Sequence, residues 1–248
     1  MNSKSYWEKR RAAVYDLSLE ELRKALISIY KRAAESAVKD ASLLLFDIET
    51  VNDLYRFNRY NKLLDIFNKQ LKLMGESEIK VYNKSFYDLY EATNTLLVDA
   101  DNTFTIVDKT RIDAAINAIW CADGIHWSKR VWKNNELLQK RLEKGLIDCV
   151  SRGVPKDELI KDLKNTFGIG FRRAETVART ELSYIQNQAT LDTYKQSNIK
   201  QYQFLGAGGN CDICAQLNGN IYNISDAVVG VNMPPIHPNC RCGILAVI

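Results

Sequence analysis

Apolar side chains recur every three or four residues through the first half of the chain, which is the spacing of one face of an α-helix. The clearest stripe follows Ser18 and Glu21, whose spacing is that of a helix capping box. It predicts one long amphipathic helix from about Ser18 to Phe46. The members of this stripe are Leu19, Leu22, Leu26, Ile29, Ala33, Ala37, Ala41 and Leu44.

Further helices are predicted in the rest of the first half. Two apolar clusters, Tyr55–Met74 and Phe86–Val98, are separated by Gly75 and polar residues, so we expect two helices there. The polar sequence DADNT after them predicts a turn, and a short helix should then end near Trp120.

Helical spacing returns in three segments after residue 128, separated by Gly and Pro residues that are typical of helix ends. The first has leucines at spacing four from Leu138 to Leu146, and the second begins beside Pro155. The third follows Gly168 and Gly170. We expect its buried stripe to be Ala174, Ala178, Leu182, Ile185 and Ala189, with Arg172, Thr176, Arg179, Thr180, Ser183 and Asn187 on its other side.

Short extended segments replace helical spacing from Lys200 onward. QYQFL, NIYNI and CGILAVI are rich in aromatic and branched residues, and GAGG and NG supply turns. The sequence therefore predicts an α+β protein with a mostly helical body, long N-terminal helices and a small C-terminal β-rich subdomain in which cysteines cluster. We divide it into an N-terminal helical region, 1–127, and a C-terminal domain, 128–248, with helices over 128–198 and a Cys/His tail over 199–248.

Composition narrows the class of protein. The chain has 248 residues, 46% of them apolar, which is enough to bury a core. No apolar run approaches the roughly 20 residues of a membrane span, and the N-terminus lacks the apolar segment of a signal peptide. We therefore expect a soluble chain made and kept in a reducing cytoplasm, where neighbouring cysteines bind metal or stay free more often than they form disulfides.

Positive charge is concentrated in one segment of the chain. Between Lys129 and Arg173 there are twelve Lys or Arg and six Asp or Glu, so this segment carries +6 while the whole chain carries +4. Such density suits contact with phosphates, although a solvated helix face has the same composition. The candidate DNA contacts are Lys129, Arg130, Lys133, Lys140, Arg141, Lys144, Arg172 and Arg173.

Two cysteine clusters, CDIC and HPNCRC, lie in the tail and together offer five metal donors: Cys211, Cys214, His237, Cys240 and Cys242. A structural zinc ion needs four donors, and a full set leaves no position for a catalytic water. A structural zinc site is therefore favoured over a hydrolytic one. Either His237 or Cys242 then stands outside the ligand set. Reduced buried thiols and a disulfide remain alternatives.

Two other groups of residues are assigned structural roles. Cys121 and His126 lie in an aromatic loop and are expected to pack there rather than to react. Arg179, Thr180 and Glu181 adjoin the buried stripe of the last predicted helix, so we expect them to anchor that helix to the cysteine tail. The sequence has no nucleophile elbow, Walker loop or HExxH motif, and we expect no enzymatic activity.

Three motifs of the C-terminal domain follow one another in the order found in a known family: VARTELSYIQNQA, CDICAQLNGNIY and MPPIHPNCRCGILAVI. They resemble the conserved region of the phage Mu F-like minor head proteins, also called phage head morphogenesis proteins. Upstream, YWEKR, SKRVWKNN and RGVPKDELIKDLKNTFG resemble the longer members of the family, from phages of Gram-positive bacteria. One departure is GAGGN before Cys211, where family members usually carry an Asp and an Arg-Thr pair.

The resemblance implies a minor structural protein of a tailed-phage or prophage head. Such a protein would associate with the portal, act in procapsid assembly and in DNA packaging or ejection, and contact DNA non-specifically. Its implied partners are the portal protein, the major capsid or scaffolding protein and viral double-stranded DNA, with no membrane. It would be made in the cytoplasm of the bacterial host and lie in the virion, inside the head or near the portal.

Two other functions remain open. One is that of a zinc-stabilised DNA-binding protein outside the virion. For base recognition, the helix after Gly170 offers Arg172, Arg173, Arg179, Gln186, Asn187 and Gln188. The other is that of a toxin or effector related to the ADP-ribosyltransferases that are joined to Mu F-like domains.

Overall fold

A computed structural model of the chain describes residues 3–47, 54, 59–98, 108–208 and 211–247. Six α-helices and three β-strands follow one another within these residues, and the predicted α+β class is confirmed. The elements are α1 (Ser3–Leu44), α2 (Tyr60–Val98), α3 (Lys109–Asn117), α4 (Trp127–Arg152), α5 (Lys156–Gln196), β1 (Gln201–Leu205), α6 (Asp212–Leu217), β2 (Ile221–Asn223) and β3 (Gly243–Val247).

Two compact units divide the chain. Unit 1 comprises Met1–Arg23, Tyr82–Trp127 and Thr176–Ile248, and unit 2 comprises Lys24–Val81 and Ser128–Glu175. Helices α1, α2 and α5 each contribute residues to both units. The division of the sequence at residue 127 stays a prediction. Among the described helices, none has the length and apolar character that crossing a membrane requires.

Helix α1 begins well before the predicted start at Ser18. Residues 3–17 contain no Gly or Pro, so nothing local stops the helix there, and Tyr15 extends its buried face. Ser18 and Glu21 therefore lie inside the helix, and the prediction of a helix end at the capping box was wrong. The predicted stripe is confirmed, since Leu22, Leu26, Ile29, Ala33, Ala37 and Ala41 are buried and Leu19 and Leu44 are half-buried.

Helix α2 runs without a break through the predicted gap at Gly75. A Cβ atom added at Gly75 would lie 2.5 Å from Asn135 Nδ2 and 2.5 Å from Trp132 Cζ3. Glycine therefore lets α2 and α4 approach closely within unit 2, and it does not end the helix. The prediction of two separate helices was wrong. Residues 55–58 and the predicted turn DADNT lie outside the described residues.

Helix α5 joins two of the three helices predicted after residue 128. It continues through Gly168 and Gly170, where a break was predicted. Gly170 packs against Leu138 and Tyr30 in unit 2, whereas a Cβ atom at Gly168 would have no neighbour within 4 Å. A glycine inside a helix costs about 1 kcal/mol relative to alanine, and burial of the flanking apolar face outweighs two such costs.

The two helical glycines predict opposite effects of the same substitution. We expect Gly75→Ala to lower the free energy of unfolding by about 1 to 3 kcal/mol, because the new methyl group would overlap Trp132 and Asn135. Gly168→Ala, the matched control in the same unit, should raise it by about 0.5 to 1 kcal/mol. Urea unfolding followed by circular dichroism measures both changes. Equal effects of the two variants would contradict the close helix contact at Gly75.

The small sheet lies in unit 1, and the three predicted strands are confirmed. Its order is β2-β1-β3 with both pairs antiparallel, so that Tyr202 of β1 pairs with Tyr222 on one side and Ala246 on the other. One hydrophobic cluster joins the sheet, the end of α5 and the loop between β2 and β3. It contains Leu191, Tyr194, Tyr202, Ile224, Met233 and Ile244.

The last half of α5 is buried on more than its apolar side. The predicted stripe is confirmed, since Ala174, Ala178, Leu182, Ile185 and Ala189 are all buried. Ser183 and Asn187 were predicted for the opposite side of the helix and are buried as well. Asn187 Nδ2 donates a hydrogen bond to the Cys242 carbonyl oxygen at 3.1 Å, and Asn187 Oδ1 accepts one from Arg11 Nη1 at 3.0 Å. The cysteine tail and α1 therefore cover this polar side within unit 1.

Candidate metal centre

The five predicted donors come from two segments that the sheet brings together in unit 1. Cys211 is the N-cap residue of α6, and Cys214 lies in that helix, which follows β1. His237, Cys240 and Cys242 lie between β2 and β3. The register pairs Leu205, at the end of β1, with the first residue of β3. The two donor segments therefore meet at one end of the sheet.

Three distances between donor atoms lie within about 0.4 Å of the edges of a tetrahedral zinc site. Cys211 Sγ lies 3.2 Å from His237 Nε2, Cys214 Sγ lies 3.3 Å from the same nitrogen, and the sulfurs of Cys214 and Cys240 are 3.9 Å apart. Zinc bonds of about 2.3 Å to sulfur and about 2.0 Å to nitrogen give tetrahedral edges of about 3.5 to 3.8 Å. These side chains are therefore spaced as ligands of one ion.

The five donors form two groups that share Cys214. One group is Cys211, Cys214 and His237, and the other is Cys214, Cys240 and Cys242, with the donor atoms of each group within 4.8 Å of one another. None of the six cysteines, all of which lie in the described residues, forms a disulfide. The arrangement offers one more donor than a tetrahedral ion uses.

The orientation of His237 favours its Nε2 atom as the metal donor. Its Nδ1 atom donates to the Pro238 carbonyl oxygen at 2.8 Å, which fixes the ring and directs Nε2 toward Cys211 and Cys214. A histidine ligand held through its second nitrogen in this way is the usual arrangement in metal sites. Asn239 has a left-handed backbone conformation with φ of 61°, which Asn tolerates better than most residues, and it turns the loop between His237 and Cys240.

The thiols do not all favour the same protonation state. The hydrogen bond with Cys242 is the main reason why the pKa of Cys240 falls to about 5, and the same contact raises the pKa of Cys242. Burial raises the pKa of Cys214 to about 12, while a backbone hydrogen bond from Cys214 lowers the pKa of Cys211. The surroundings thus favour the thiolate at Cys240 and the neutral thiol at Cys214. Metal binding at a neutral thiol would release its proton.

The surroundings of the centre are apolar on one side and open on the other. Cys214, Cys240 and Cys242 are buried in a small cluster with Phe204, against which Leu217, Tyr222 and Ile236 pack. Cys211 is exposed and His237 is half-buried. The centre therefore lies between the small sheet and solvent, where it can cross-link the tail.

A comparison with known families gives a match in the C-terminal part of the chain. Residues 140–245 match the family model described as "Phage Mu protein F like protein". This stretch, called the Mu F-like region from here on, is similar to that family. The resemblance inferred from the tail motifs is therefore confirmed, while the assignment to phages of Gram-positive bacteria stays a prediction. No curated protein and no solved structure gives a significant match to the chain.

The Mu F-like region contains the three predicted anchor residues, and each makes a different contact in unit 1. Thr180 Oγ1 accepts a hydrogen bond from the backbone N–H of Asn239 at 2.9 Å, next to the donors of the tail. The carbonyl oxygen of Arg179 accepts from the Tyr15 hydroxyl at 2.9 Å. Glu181 Oε2 accepts from Trp120 Nε1 at 2.8 Å. Thr180 thus contacts the tail directly, and the anchoring role of the other two stays a prediction.

The candidate DNA contacts lie on α4 and α5 in unit 2, partly inside the Mu F-like region. All of them are exposed except Arg130, which is half-buried. Lys129, Lys133, Lys140 and Lys144 fall within about 60° of one another around α4, so they form one basic stripe. A nearby groove of about 830 Å³ is lined by side chains of both charges, so it is not an anion pocket. Its charged lining residues are Arg141, Lys144, Arg152, Lys161, Asp148, Asp157, Glu158 and Asp162.

The aromatic loop before α4 has a packing role. His126 Nε2 lies 3.2 Å from the Ile116 carbonyl oxygen, and Trp127 Nε1 donates to the same oxygen at 2.9 Å. The rings of Trp127 and Phe86 also pack edge to face, with their centroids 5.2 Å apart. Cys121 is half-buried in the same loop, away from the two donor groups.

Proposed function

We propose that the protein is a minor structural protein of a tailed-phage or prophage head, with its tail cross-linked by one zinc ion and with no catalytic role. The observation that carries this proposal is the Mu F-like match, which spans the donor centre and α5. The family suggests a head morphogenesis protein located in the virion. We also propose that the protein associates with the portal and acts in procapsid assembly and in DNA packaging or ejection.

The proposed zinc ligands are Cys211, Cys214, His237 and Cys240. The first three form one donor group, and Cys240 belongs to the other group, with its sulfur 3.9 Å from that of Cys214. Cys242 then remains a thiol hydrogen-bonded to the sulfur of Cys240. Four protein ligands leave no open position for a reacting water, which supports a structural role over a hydrolytic one.

Co-expression with the portal and major capsid proteins of the same phage tests the virion assignment. We expect the chain to sediment with portal complexes and to be present in purified procapsids at low copy number. Its absence from both portal complexes and particles would contradict the proposal. Zinc and DNA binding without any particle association would favour the alternative of a DNA-binding protein outside the virion.

We further propose that the basic stripe on α4 contacts double-stranded DNA through phosphates. Changing Lys129, Lys133, Lys140 and Lys144 to Gln together should weaken binding uniformly across sequences. The slope of log affinity against log salt should fall by about 2 to 4, because each phosphate contact contributes about 0.9 to this slope. Fluorescence anisotropy on two duplexes of unrelated sequence, over a salt series, measures both quantities.

A matched control for the basic stripe lies in the same unit. Lys62, Lys69, Lys72 and Lys80 on α2 are also exposed, so changing these four to Gln removes the same charge from a different helix. We expect the control to change the salt slope by less than about 1. Equal losses in the two variants would show that net charge, and not the stripe on α4, determines binding. Strong preference for one duplex would contradict phosphate contact as the main interaction.

A further inference from the structure

A small cavity in unit 1 lies between the first part of α1, the end of β1 with the loop after it, and Arg241. Its volume is about 340 Å³, at the lower end of the range of ligand pockets, which is about 300 to 1,000 Å³. Residues 205–208 give it a wall of apolar and small side chains. Its charged lining residues are Lys9, Arg11, Arg241 and Glu8. The cavity therefore suits one small charged group.

Two arginines of the lining are held in place by contacts within unit 1. Arg11 Nη1 donates to Asn187 Oδ1 at 3.0 Å, and Arg241 Nη2 donates to Asp16 Oδ1 at 2.8 Å. A Cβ atom added at Gly243 would overlap the Arg11 guanidinium, so the tail packs directly against that group. These contacts order both side chains before any ligand binds, which lowers the entropic cost of binding.

Positive charge exceeds negative charge around the cavity. The three cations of the lining outnumber Glu8, and they still exceed the acids when Asp16, the partner of Arg241, is counted as well. The low polarity of residues 205–208 strengthens the attraction of an anion to these cations. Each guanidinium has five N–H donors, so the contacts with Asn187 and Asp16 leave donors for a ligand that has several acceptor oxygens.

We propose that this cavity binds a phosphate group through Arg11 and Arg241, with Lys9 adding a third positive charge. Arginine is suited to phosphate because its paired N–H donors match two phosphate oxygens at once. A phosphate has enough oxygens and charge for two guanidiniums, whereas a carboxylate has only two oxygens and one charge. The inference goes beyond the proposed zinc ion and the basic stripe on α4, and it rests on neither.

Titration of the whole chain with inorganic phosphate at low salt, followed by NMR, tests the cavity. We expect the backbone amide signals of residues 206–208 to shift, since these residues line it. Arg241→Gln and Arg11→Gln should each weaken phosphate binding about tenfold to hundredfold, because each removes a hydrogen bond between charged groups. Arg10→Gln is the matched control. Arg10 is exposed on the same helix and outside the lining, so its effect should stay below about threefold.

Three results would overturn the inference. One is a dissociation constant for phosphate above about 20 mM in the wild-type protein. Another is equal affinity in Arg241→Gln, Arg10→Gln and the wild type. The third is tighter binding of a short poly-glutamate peptide than of phosphate at the same amides, which would assign the cavity to carboxylates. Arg241 is exposed, so Arg241→Gln keeps the test decisive even if Arg11→Gln fails to fold.

Duplex DNA distinguishes the two sources of a phosphate group. If the cavity takes a phosphate of the DNA backbone, the double variant of Arg11→Gln and Arg241→Gln should lower the slope of log affinity against log salt by about 0.9. If the ligand is a free phosphate ion, the slope should stay unchanged while phosphate binding is lost.

The variant with four Gln residues on α4 separates this inference from the proposed function. Its substitutions lie in unit 2, so it should bind inorganic phosphate as the wild type does. Failure of the basic stripe or of the zinc ion in their own tests therefore leaves the phosphate cavity standing. Loss of phosphate binding in the α4 variant would contradict the cavity in unit 1 as the phosphate site.

Discussion

Replacement of Cys214 by serine is expected to abolish binding of the proposed zinc ion and to destabilise the cysteine tail. Cys214 is the one residue shared by both donor groups, and it is buried. We expect the zinc content to fall from about one ion per chain to less than about 0.2. Structural zinc ions contribute apparent binding free energies of about 10 to 16 kcal/mol in small domains, so loss of the ion should unfold the tail around α6. Elemental analysis of protein purified without added metal or chelator measures the first effect.

Two other cysteine variants make this test specific. Cys121→Ser alters a half-buried thiol outside the donor groups, and we expect it to keep the full zinc content. Cys242→Ala should keep the ion but bind it about tenfold to hundredfold more weakly, because it removes a hydrogen bond to a ligand and not the ligand itself. A wild-type protein with less than about 0.2 zinc per chain would rule out the structural ion. Equal zinc loss in all three variants would rule out the proposed ligand set.

The need for a cross-link follows from the size of the β-rich tail. Its strands have five, three and five residues, and β2 and β3 are both edge strands. A three-stranded sheet this short buries little apolar surface and depends on neighbouring elements for stability. Helix α5 supplies one face through Leu191 and Tyr194. The donor centre lies at the end of the sheet, where Phe204 and the cysteines form a separate small cluster.

The helices were predictable from the sequence in their type and buried face, but not in their ends. Apolar stripes such as Leu22 to Ala41 indicate which side of a helix packs against the core, and such a stripe can be recognised from neighbouring residues alone. Gly75 and Gly168 were interpreted as helix breaks, although both lie inside long helices. A glycine that permits a close helix contact has the same sequence signature as one that ends a helix. Only the position of Trp132 distinguishes the two meanings at Gly75.

The clustering of the candidate metal donors was predictable for a similar reason. Cys211 and Cys214 are three residues apart, and Cys240 and Cys242 are two apart, so each pair can be read from local spacing. The contacts of Arg11 could not be read in this way, because 176 residues separate it from Asn187. Nothing in the local pattern of α1 marks this arginine among its charged neighbours. Residues that support a site from a distant element become visible only in the fold.

A buried carboxyl group in unit 2 predicts an unusual dependence of stability on pH. Glu78 on α2 is fully buried, and neither of its oxygens makes a hydrogen bond of ordinary geometry among the described residues. Burial raises its pKa from 4.5 to about 8, and the nearby Tyr30 hydroxyl offsets only part of this shift. Because the folded state holds the Glu78 proton more tightly than the unfolded state, the contribution of Glu78 to stability is greatest below pH 4.5. It should fall as the pH rises toward 8, by about 1.4 kcal/mol for each pH unit.

Glu78→Gln should remove this pH dependence, because a neutral amide replaces a group that must either stay protonated or ionise in the core. We compare the free energy of unfolding of the variant with that of the wild type at each pH. The advantage of the variant should be about 2 to 3 kcal/mol larger at pH 8.5 than at pH 6.0. Urea unfolding at the two pH values measures this difference. Glu76→Gln is the matched control, since Glu76 is exposed on the same helix, and its difference should not vary with pH. If the difference in free energy of unfolding between Glu78→Gln and the wild type did not vary with pH, some other contact would neutralise the buried carboxyl. A difference that grows with pH identifies burial of the charge as the cause.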